Sequence, residues 1–493
     1  MTYLNKALPV LAAVLAVIAV WQLESARSGL LITDAMVGAT PVTVYEPDQS
    51  LGPTLVISHG FAGSRQIMSA YSLHLAQAGY RVVAFDYEGH GTHQVPMSGD
   101  VTSVDGTTRR LVNQTLSVLR WAAATDTSGQ PIGQLGHSMA TDVLIRAALE
   151  ADQPQGPIVA LSAFSGAVTA TEPENLLLIA GEWEARLRDF GVDAVQMIDP
   201  SAGESQLIDA QSVRRQAIVA PGVEHVGILY SQTAQVRALD WMNAFYERDN
   251  TVPPILIGPW LLVLLAALVL IGRQVVRLPV GQASNPVTLR PWQFAACVAV
   301  PALLAPAISV LIDIQALPVL VADYLLVHLA LYGILTVGLL LWFGARPGAI
   351  RPLAALILAV WGIAVFGFAL HRYGANFWPA GPRVLIVGVL LFGALPFALG
   401  DAILTQARPW WQRALLRVSF VASLMIAVAL DFERLFFLVL IAPIILLFFA
   451  IFGPLGRWTA ENSGPVAAGI GLGVILAWAL GVTFPLFSAS GAA

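Results

Sequence analysis

The stretch of this chain best suited to covalent chemistry is Gly136-His137-Ser138-Met139-Ala140. The residues before it, "PIGQL", read as a strand that leads straight into Ser138, and "ATDVLIRAALEA" after it carries helical spacing. A strand-turn-helix of this kind lifts a serine hydroxyl above a sheet and sets it near the positive end of a helix. A hydroxyl is a poor nucleophile at neutral pH. The chemistry therefore needs a base within hydrogen-bond reach and a carboxylate that holds the base's tautomer and stabilises its charged form. Ala140 stands where the G-x-S-x-G pattern ends in glycine, and the turn tolerates it because the position has only to be small. Other covalent chemistries are excluded by scarcity. The only lysine is Lys6 and the only cysteine is Cys297, inside an apolar run. A Ser-Lys dyad, a lysine Schiff base, a Walker loop, a cysteine nucleophile and a cysteine-ligated zinc are thus excluded from the water-soluble part, and disulfides with them.

The elements that must position Ser138 occupy only part of the chain. With 493 residues, 57% of them hydrophobic and 12% charged, the sequence is too long for one ordinary domain and too apolar to be wholly soluble. Residues 22–252 hold 25 acidic side chains against 13 arginines, whereas those after 252 hold six against twelve. The acidic part argues against nucleic acid as a partner, because phosphate binding needs a positive patch. Residues 7–23, "ALPVLAAVLAVIAVWQL", read as an uncleaved anchor rather than a signal peptide, since no small-x-small site follows and Trp21 suits a membrane interface. From Leu30 to about Asn250, short β-branched runs such as "TPVTVYEP", "PTLVISHGF", "YRVVAFDYEGHG", "GPIVALSAFSG", "NLLLIAGEWE" and "RQAIVAPGVEH" alternate with helical stretches near 64–78, 107–125, 140–151 and 233–245. Near-continuous apolar strands alternating with helices predict a mostly parallel sheet covered on both faces.

After "TVPP" at 251–254 the pattern becomes about eight apolar runs of spanning length, near 254–272, 292–312, 318–343, 351–370, 383–403, 413–430, 434–453 and 465–487. The expected organisation is an anchor over 1–27, an α/β domain over 28–250 and an all-α transmembrane bundle over 251–493. With the N-terminus cytoplasmic, the inner loops carry Arg273, Arg277, Arg290, Arg346, Arg351, Arg408, Arg413, Arg417 and Arg457, and the outer ones only Arg372, Arg383 and Arg434. The positive-inside rule then places the acidic domain outside the cytoplasmic membrane.

With these elements in view, residues 30–250 resemble the α/β-hydrolase superfamily. His59-Gly60-Phe61 in "SHGFAGS" resembles the family's oxyanion loop, and "FDYEGHG" its D-x-x-G-x-G stretch. "IAGEWE" resembles the strand end that supplies the acid, with Glu184 where aspartate is commoner, and "GVEHVG" supplies a late histidine, His225. The resemblance implies a Ser138, Glu184, His225 triad in the family's chain order, with Glu182 as the alternative acid, and an oxyanion hole from the backbone N–H groups of Phe61 and Met139. It also implies an ester substrate, small or lipid-like, ahead of an amide or thioester, and neither cofactor nor metal. Only about a dozen residues separate Ser162 from Asn175, which leaves no room for a cap domain. The site is expected to be open, covered by the loop from Thr92 to Gly106, or roofed by the membrane domain or lipid surface. Acyl transfer to a non-water acceptor, and a transporter or scaffold with an inactive hydrolase-like module, are the competing readings.

Other reactive side chains have blander explanations. His59, His90 and His137 read as buttresses of turns, His74 as a helix residue, and Ser162 and Ser165 as ordinary loop residues. His90 and His93 with Asp86 and Glu88 suggest a metal only through an unspecific H-x-x-H on a loop. In the apolar half, Asp323 and His328 share one expected span, where an ionisable residue is a functional candidate because desolvation is costly. Trp378, Trp410 and Trp411 read as interfacial anchors.

Overall fold

The computed structural model describes residues 2–48, 52–100, 103–210, 212–278 and 286–488; the side chains of residues 2–6, Lys6 included, lie outside this set, as do residues 101 and 102 of the Thr92–Gly106 loop. The chain divides into two compact units. One comprises Met1–Ala19, Leu262–Leu370 and Phe377–Phe484; the other comprises Val20–Leu261, His371–Asn376 and Pro485–Ala493.

The second unit is built on strands β1 (Leu30–Val37), β2 (Thr40–Pro47), β3 (Thr54–Ser58), β4 (Arg81–Phe85), β5 (Gly133–His137), β6 (Ile158–Leu161), β7 (Asn175–Gly181), β8 (Leu207–Ala210) and β9 (Val213–Ala220). They form one sheet in the order β1-β2-β4-β3-β5-β6-β7-β9-β8. β4, β3, β5, β6, β7 and β9 run parallel, while β1, β2 and β8 pair antiparallel at the edges. β3, β4 and β5 are buried along their whole length, as expected of strands covered on both faces.

The helices of this unit follow from the crossovers. β3 and β4 are joined through α2 (Ser69–Gln77), β4 and β5 through α3 (Arg109–Thr125), and β5 and β6 through α4 (Met139–Glu150). The step from β3 to β4 runs along the sheet in the opposite direction to the step from β4 to β5. Right-handed crossovers therefore put α2 and α3 on opposite faces. The α5 helix (Ala185–Gln196) packs on β7 and β9, and α6 (Gln232–Tyr246) packs with α2. The strand order reverses between β3 and β5, and a reversal of this kind opens a crevice at the carboxyl ends of the strands.

Among the described residues, nine helices are long and apolar enough to cross a membrane: Ala7–Ser25, Ile257–Val275, Pro291–Ser309, Ala322–Trp342, Pro352–Tyr373, Arg383–Thr405, Trp410–Leu430, Leu438–Ser463 and Pro465–Thr483. Helix Leu438–Ser463 runs ten residues past its expected end, through Pro454. Within the helical unit His328 is fully buried, with Ser423 Oγ at 2.8 Å and the Tyr324 hydroxyl at 3.0 Å from its ring nitrogens. Asp323 stands in the first turn of its helix and accepts the Leu317 N–H at 3.0 Å. Arg417 and Asp401 form an ion pair at 3.1 Å, and the Trp378 ring lies 5.9 Å from that of Trp478.

Candidate active site

Ser138 follows β5 with φ 55° and ψ −122°, a left-handed backbone that a non-glycine residue rarely holds. The strain is sustained by hydrogen bonds from the neighbouring strand and helix: the Ser138 N–H donates to Leu161 O at 2.9 Å, and Thr141 N–H returns to Ser138 O at 2.9 Å. The turn exposes the hydroxyl and points the first N–H groups of α4 toward the same space. Ala140 is fully buried, and a Cβ on Gly136 would sit 3.2 Å from the Ala140 Cβ and 2.5 Å from Leu144 Cδ1. One of the two positions must lack a side chain for helix and strand to close, and Gly136 does so, which leaves room for the methyl group of Ala140.

Ser138, His225 and Glu184 are brought together by the ends of three strands. Ser138 Oγ lies 2.8 Å from His225 Nε2, and Glu184 Oε1 lies 2.5 Å from His225 Nδ1. Neutral imidazole with its proton on Nδ1 satisfies both contacts: Nδ1–H donates to the carboxylate and Nε2 accepts from the serine hydroxyl. Glu184 is only 5% exposed, whereas His225 is 44% exposed and reachable from solvent. The second carboxylate oxygen of Glu184 accepts from the Ser162 hydroxyl and from the Gly181 N–H, each at 2.7 Å. Burial pushes the Glu184 carboxyl up, but hydrogen bonds from His225, Ser162 and Gly181 more than offset it and hold its pKa below the ordinary value. Glu182 is exposed and accepts the Gly222 N–H at 2.7 Å, so it closes a turn beside the site.

Two of the expected buttresses act directly on these residues. His137 Nε2–H donates to the backbone carbonyl of His225 at 2.8 Å, fixing the turn that carries the imidazole. Burial, with His225 nearby, drives the His137 pKa down to about 4, so the ring is neutral at pH 7. His59 accepts the Tyr87 N–H on Nε2 at 3.2 Å, leaving Nδ1–H to donate to Gly60 O at 2.8 Å; burial lowers its pKa too. The loop that His59 braces is pressed against the nucleophile: a Cβ on Gly60 would come within 2.9 Å of both His137 Nδ1 and Ser138 Cβ. That contact places Gly60, the residue before Phe61, against Ser138, which is itself followed by Met139, the first residue of α4.

Asp86 anchors this loop. Its carboxylate is fully buried and receives the Arg65 guanidinium, the Arg65 N–H at 2.7 Å and the Thr92 N–H at 2.9 Å. His90 Nδ1 bonds Glu88 O at 2.8 Å, His93 Nδ1 accepts the Val95 N–H at 3.2 Å, and Glu88 pairs with Arg110 at 2.9 Å. Two further segments of the same unit complete the frame. The Asn376 N–H donates to Ser64 Oγ and its Nδ2 to Gly91 O, both at 3.0 Å. Leu486 bridges the Asp86–Met97 region: its N–H donates to Gly89 O at 2.8 Å and its carbonyl accepts the Met97 N–H at 2.9 Å, while the Phe487 ring lies 6.3 Å from that of Phe61. The partners Ser162, Asn376 and Leu486 were not singled out as site residues in the sequence, and nothing in the spacing of Asn376 or Leu486 points to them.

The sheet order, the strained elbow and the crevice at the strand ends are those of an α/β-hydrolase fold. Consistent with this, residues 50–225 match the family described as serine aminopeptidase, S33. Among curated proteins, none matches this sequence. Among solved structures, the chain is similar to a dienelactone hydrolase from Anabaena variabilis, with 16% identity over 44% of this chain and 99% of that one and a TM-score of 0.33. It is also similar to a lipase in its open form (14% identity, 44% and 100% covered, TM-score 0.34) and to an epoxide hydrolase from Vigna radiata (21% identity, 27% and 39% covered, TM-score 0.22).

Proposed function

We propose that this protein is a membrane-embedded serine hydrolase that cleaves an ester through an acyl-enzyme on Ser138. The observation that carries the reading is the continuous hydrogen-bonded chain from Ser138 Oγ through His225 to Glu184, at 2.8 and 2.5 Å. In the first step Ser138 Oγ attacks the ester carbonyl carbon and its proton passes to His225 Nε2. Glu184 holds Nδ1–H and stabilises the imidazolium. The N–H groups of Met139 and Phe61 receive the developing oxyanion, with the α4 N-terminus adding to the field. Collapse breaks the C–O bond, and His225 returns the proton to the departing alcohol. Water, deprotonated by the same imidazole, then attacks the acyl carbon; the acid leaves and Ser138 Oγ recovers its proton.

A fluorophosphonate probe tests the nucleophile: wild-type membranes should label and Ser138→Ala membranes should not. Equal labelling of the two sinks the reading. Since the matched family is described as an aminopeptidase, a panel of esters and aminoacyl anilides separates the bond types. Faster cleavage of the anilides would replace the ester by an amide and leave the nucleophile in place. Membrane embedding is supported by the nine apolar helices, and an extracytoplasmic hydrolase unit by the arginine bias of the loops. A cysteine introduced at the exposed Asp152 is expected to react with an impermeant maleimide in cells whose outer surface is accessible; protection there combined with reaction in inverted vesicles reverses the orientation.

A further inference from the structure

Resting on that reading, we infer that the substrate carries a hydrocarbon chain and that Phe164, Trp183 and Val226 form the rim along which it lies. β5, β6, β7 and β9 are consecutive neighbours in the sheet and run parallel, so the segments that follow them all emerge at the edge where Ser138 stands. Each of the three segments after β6, β7 and β9 presents one large apolar side chain to solvent. Phe164 is 67% exposed, Trp183 69% and Val226 51%. Trp183 directly precedes Glu184 and Val226 directly follows His225. Phe164 N–H meets Thr141 Oγ1 at 3.3 Å, and that hydroxyl donates to Ser138 O at 2.7 Å.

The backbone under this rim is fixed. Trp183 N–H donates to Val223 O at 3.2 Å, and Val226 N–H to Glu224 Oε2 at 2.7 Å. The side chains are thus presented on a rigid frame, with the Phe164 ring 5.4 Å from that of Phe190, and their exposed apolar area is available to a ligand. A protein partner seated on the rim would block the nucleophile, whereas a chain attached to the scissile acyl group lies there only when the ester reaches Ser138. Among its described residues the same chain carries nine helices fit to cross a membrane, and esters with hydrocarbon tails partition to membranes. Each methylene buried on the rim is worth about fourfold in transition-state binding if it leaves water completely.

The test uses full-length protein in lipid nanodiscs with p-nitrophenyl acetate and p-nitrophenyl octanoate, both held below micelle-forming concentration. The wild type should show a higher kcat/KM for octanoate, and the double variant Phe164→Ser/Trp183→Ser should lower the octanoate-to-acetate ratio by at least about tenfold, mostly through KM. The control Leu207→Ser, which removes an exposed apolar side chain on edge strand β8, should keep the wild-type ratio. A wild type that does not prefer octanoate overturns the inference, as does a double variant whose ratio stays within twofold or a control that falls as far. Those outcomes, with Ser138 still labelled by fluorophosphonate, leave the hydrolase reading standing; loss of labelling and of both activities in the wild type removes the hydrolase reading itself.

Discussion

At the scale of single residues, the two glutamates beyond β7 are separated by two positions and by entirely different partners. Glu184 receives His225, Ser162 and the Gly181 N–H, and Glu182 receives only the Gly222 N–H. Glu184→Ala should therefore cost on the order of 10⁴ in kcat, as loss of a triad acid does, by releasing the imidazole tautomer. Glu182→Ala should leave kcat close to wild type and shift stability by no more than about 0.5 kcal/mol. Steady-state ester kinetics on the two variants decide between them, and the reverse pattern reassigns the acid. His137 supplies the pH dependence. Its folded pKa of about 4 lies below its unfolded value, so the unfolded chain takes up this proton first as pH falls. Stability from its neutral burial is fully present above about pH 6.5 and is lost progressively between there and about pH 4. The Glu184 contribution, from a carboxyl held low, is present above its unfolded value and is lost as pH falls from there through its folded pKa. His137→Gln keeps a donor for His225 O and carries no titrating group. The midpoint of heat inactivation, read by fluorophosphonate labelling, should fall less between pH 7 and 5 in that variant than in wild type. An equal fall removes His137 as a source of acid lability.

At the scale of elements, the His59–Gly63 loop is held in place by one buried ion pair. Arg65, just past the loop, and Thr92, beyond the turn after β4, converge on the Asp86 carboxylate. Asp86→Ala leaves the nearly buried Arg65 guanidinium only the exposed Asp34 carboxylate, at 3.5 Å, as a counter-charge, so it should destabilise the hydrolase unit by about 3 kcal/mol. The midpoint of urea inactivation measures this, and a shift within error would show that the pair is dispensable. The sequence displayed this Asp86 only as part of a motif, because its partners lie in two other segments. The core elements were more legible. β3, β4 and β7 are largely apolar runs buried at nearly every position, β5 is buried throughout although its sequence is GQLGH, and α4 follows Ser138 directly. β1, β8 and α5 were not anticipated. β1 is half-exposed along its length with Asp34 at its centre, β8 is four residues long and mostly exposed, and α5 buries only Gly191, Ala194 and Val195 while Asp189 and Asp193 face solvent. Such edge elements are fixed by pairing with a neighbour, which composition does not encode. The end of helix Leu438–Ser463 was missed for a different reason: Gly453-Pro454 reads as a stop, yet the helix continues through it.

At the scale of the whole molecule, the hydrolase unit is not one continuous stretch of chain. Asn376 and the residues from Pro485 onward belong to it, and they satisfy Ser64, Gly89, Gly91 and Met97 around the His59–Gly63 loop. Glu24 likewise pairs with Arg372 and receives the Tyr373 hydroxyl within the same unit. An expectation drawn from composition alone ends the soluble domain near residue 250, because acidic residues become sparse there, with six in all that follows. Composition carries no information about six- and four-residue segments that return across more than a hundred positions. A polypeptide of residues 28–250 would keep Ser138, His225 and Glu184 but leave the Ser64 hydroxyl and the Gly89 and Gly91 carbonyls without these partners. Water replaces the lost hydrogen bonds, but nothing replaces their geometry, and a displacement of about 1 Å near a reacting centre costs on the order of 10²-fold. The excised polypeptide is therefore expected to hydrolyse p-nitrophenyl acetate, which needs neither rim nor membrane, at least about tenfold more slowly than the full chain. Asn376→Leu in the full chain should reproduce part of that loss in kcat with little change in KM. Equal turnover by the excised polypeptide, folded by circular dichroism, would show that the returning segments are ornaments on a self-sufficient domain.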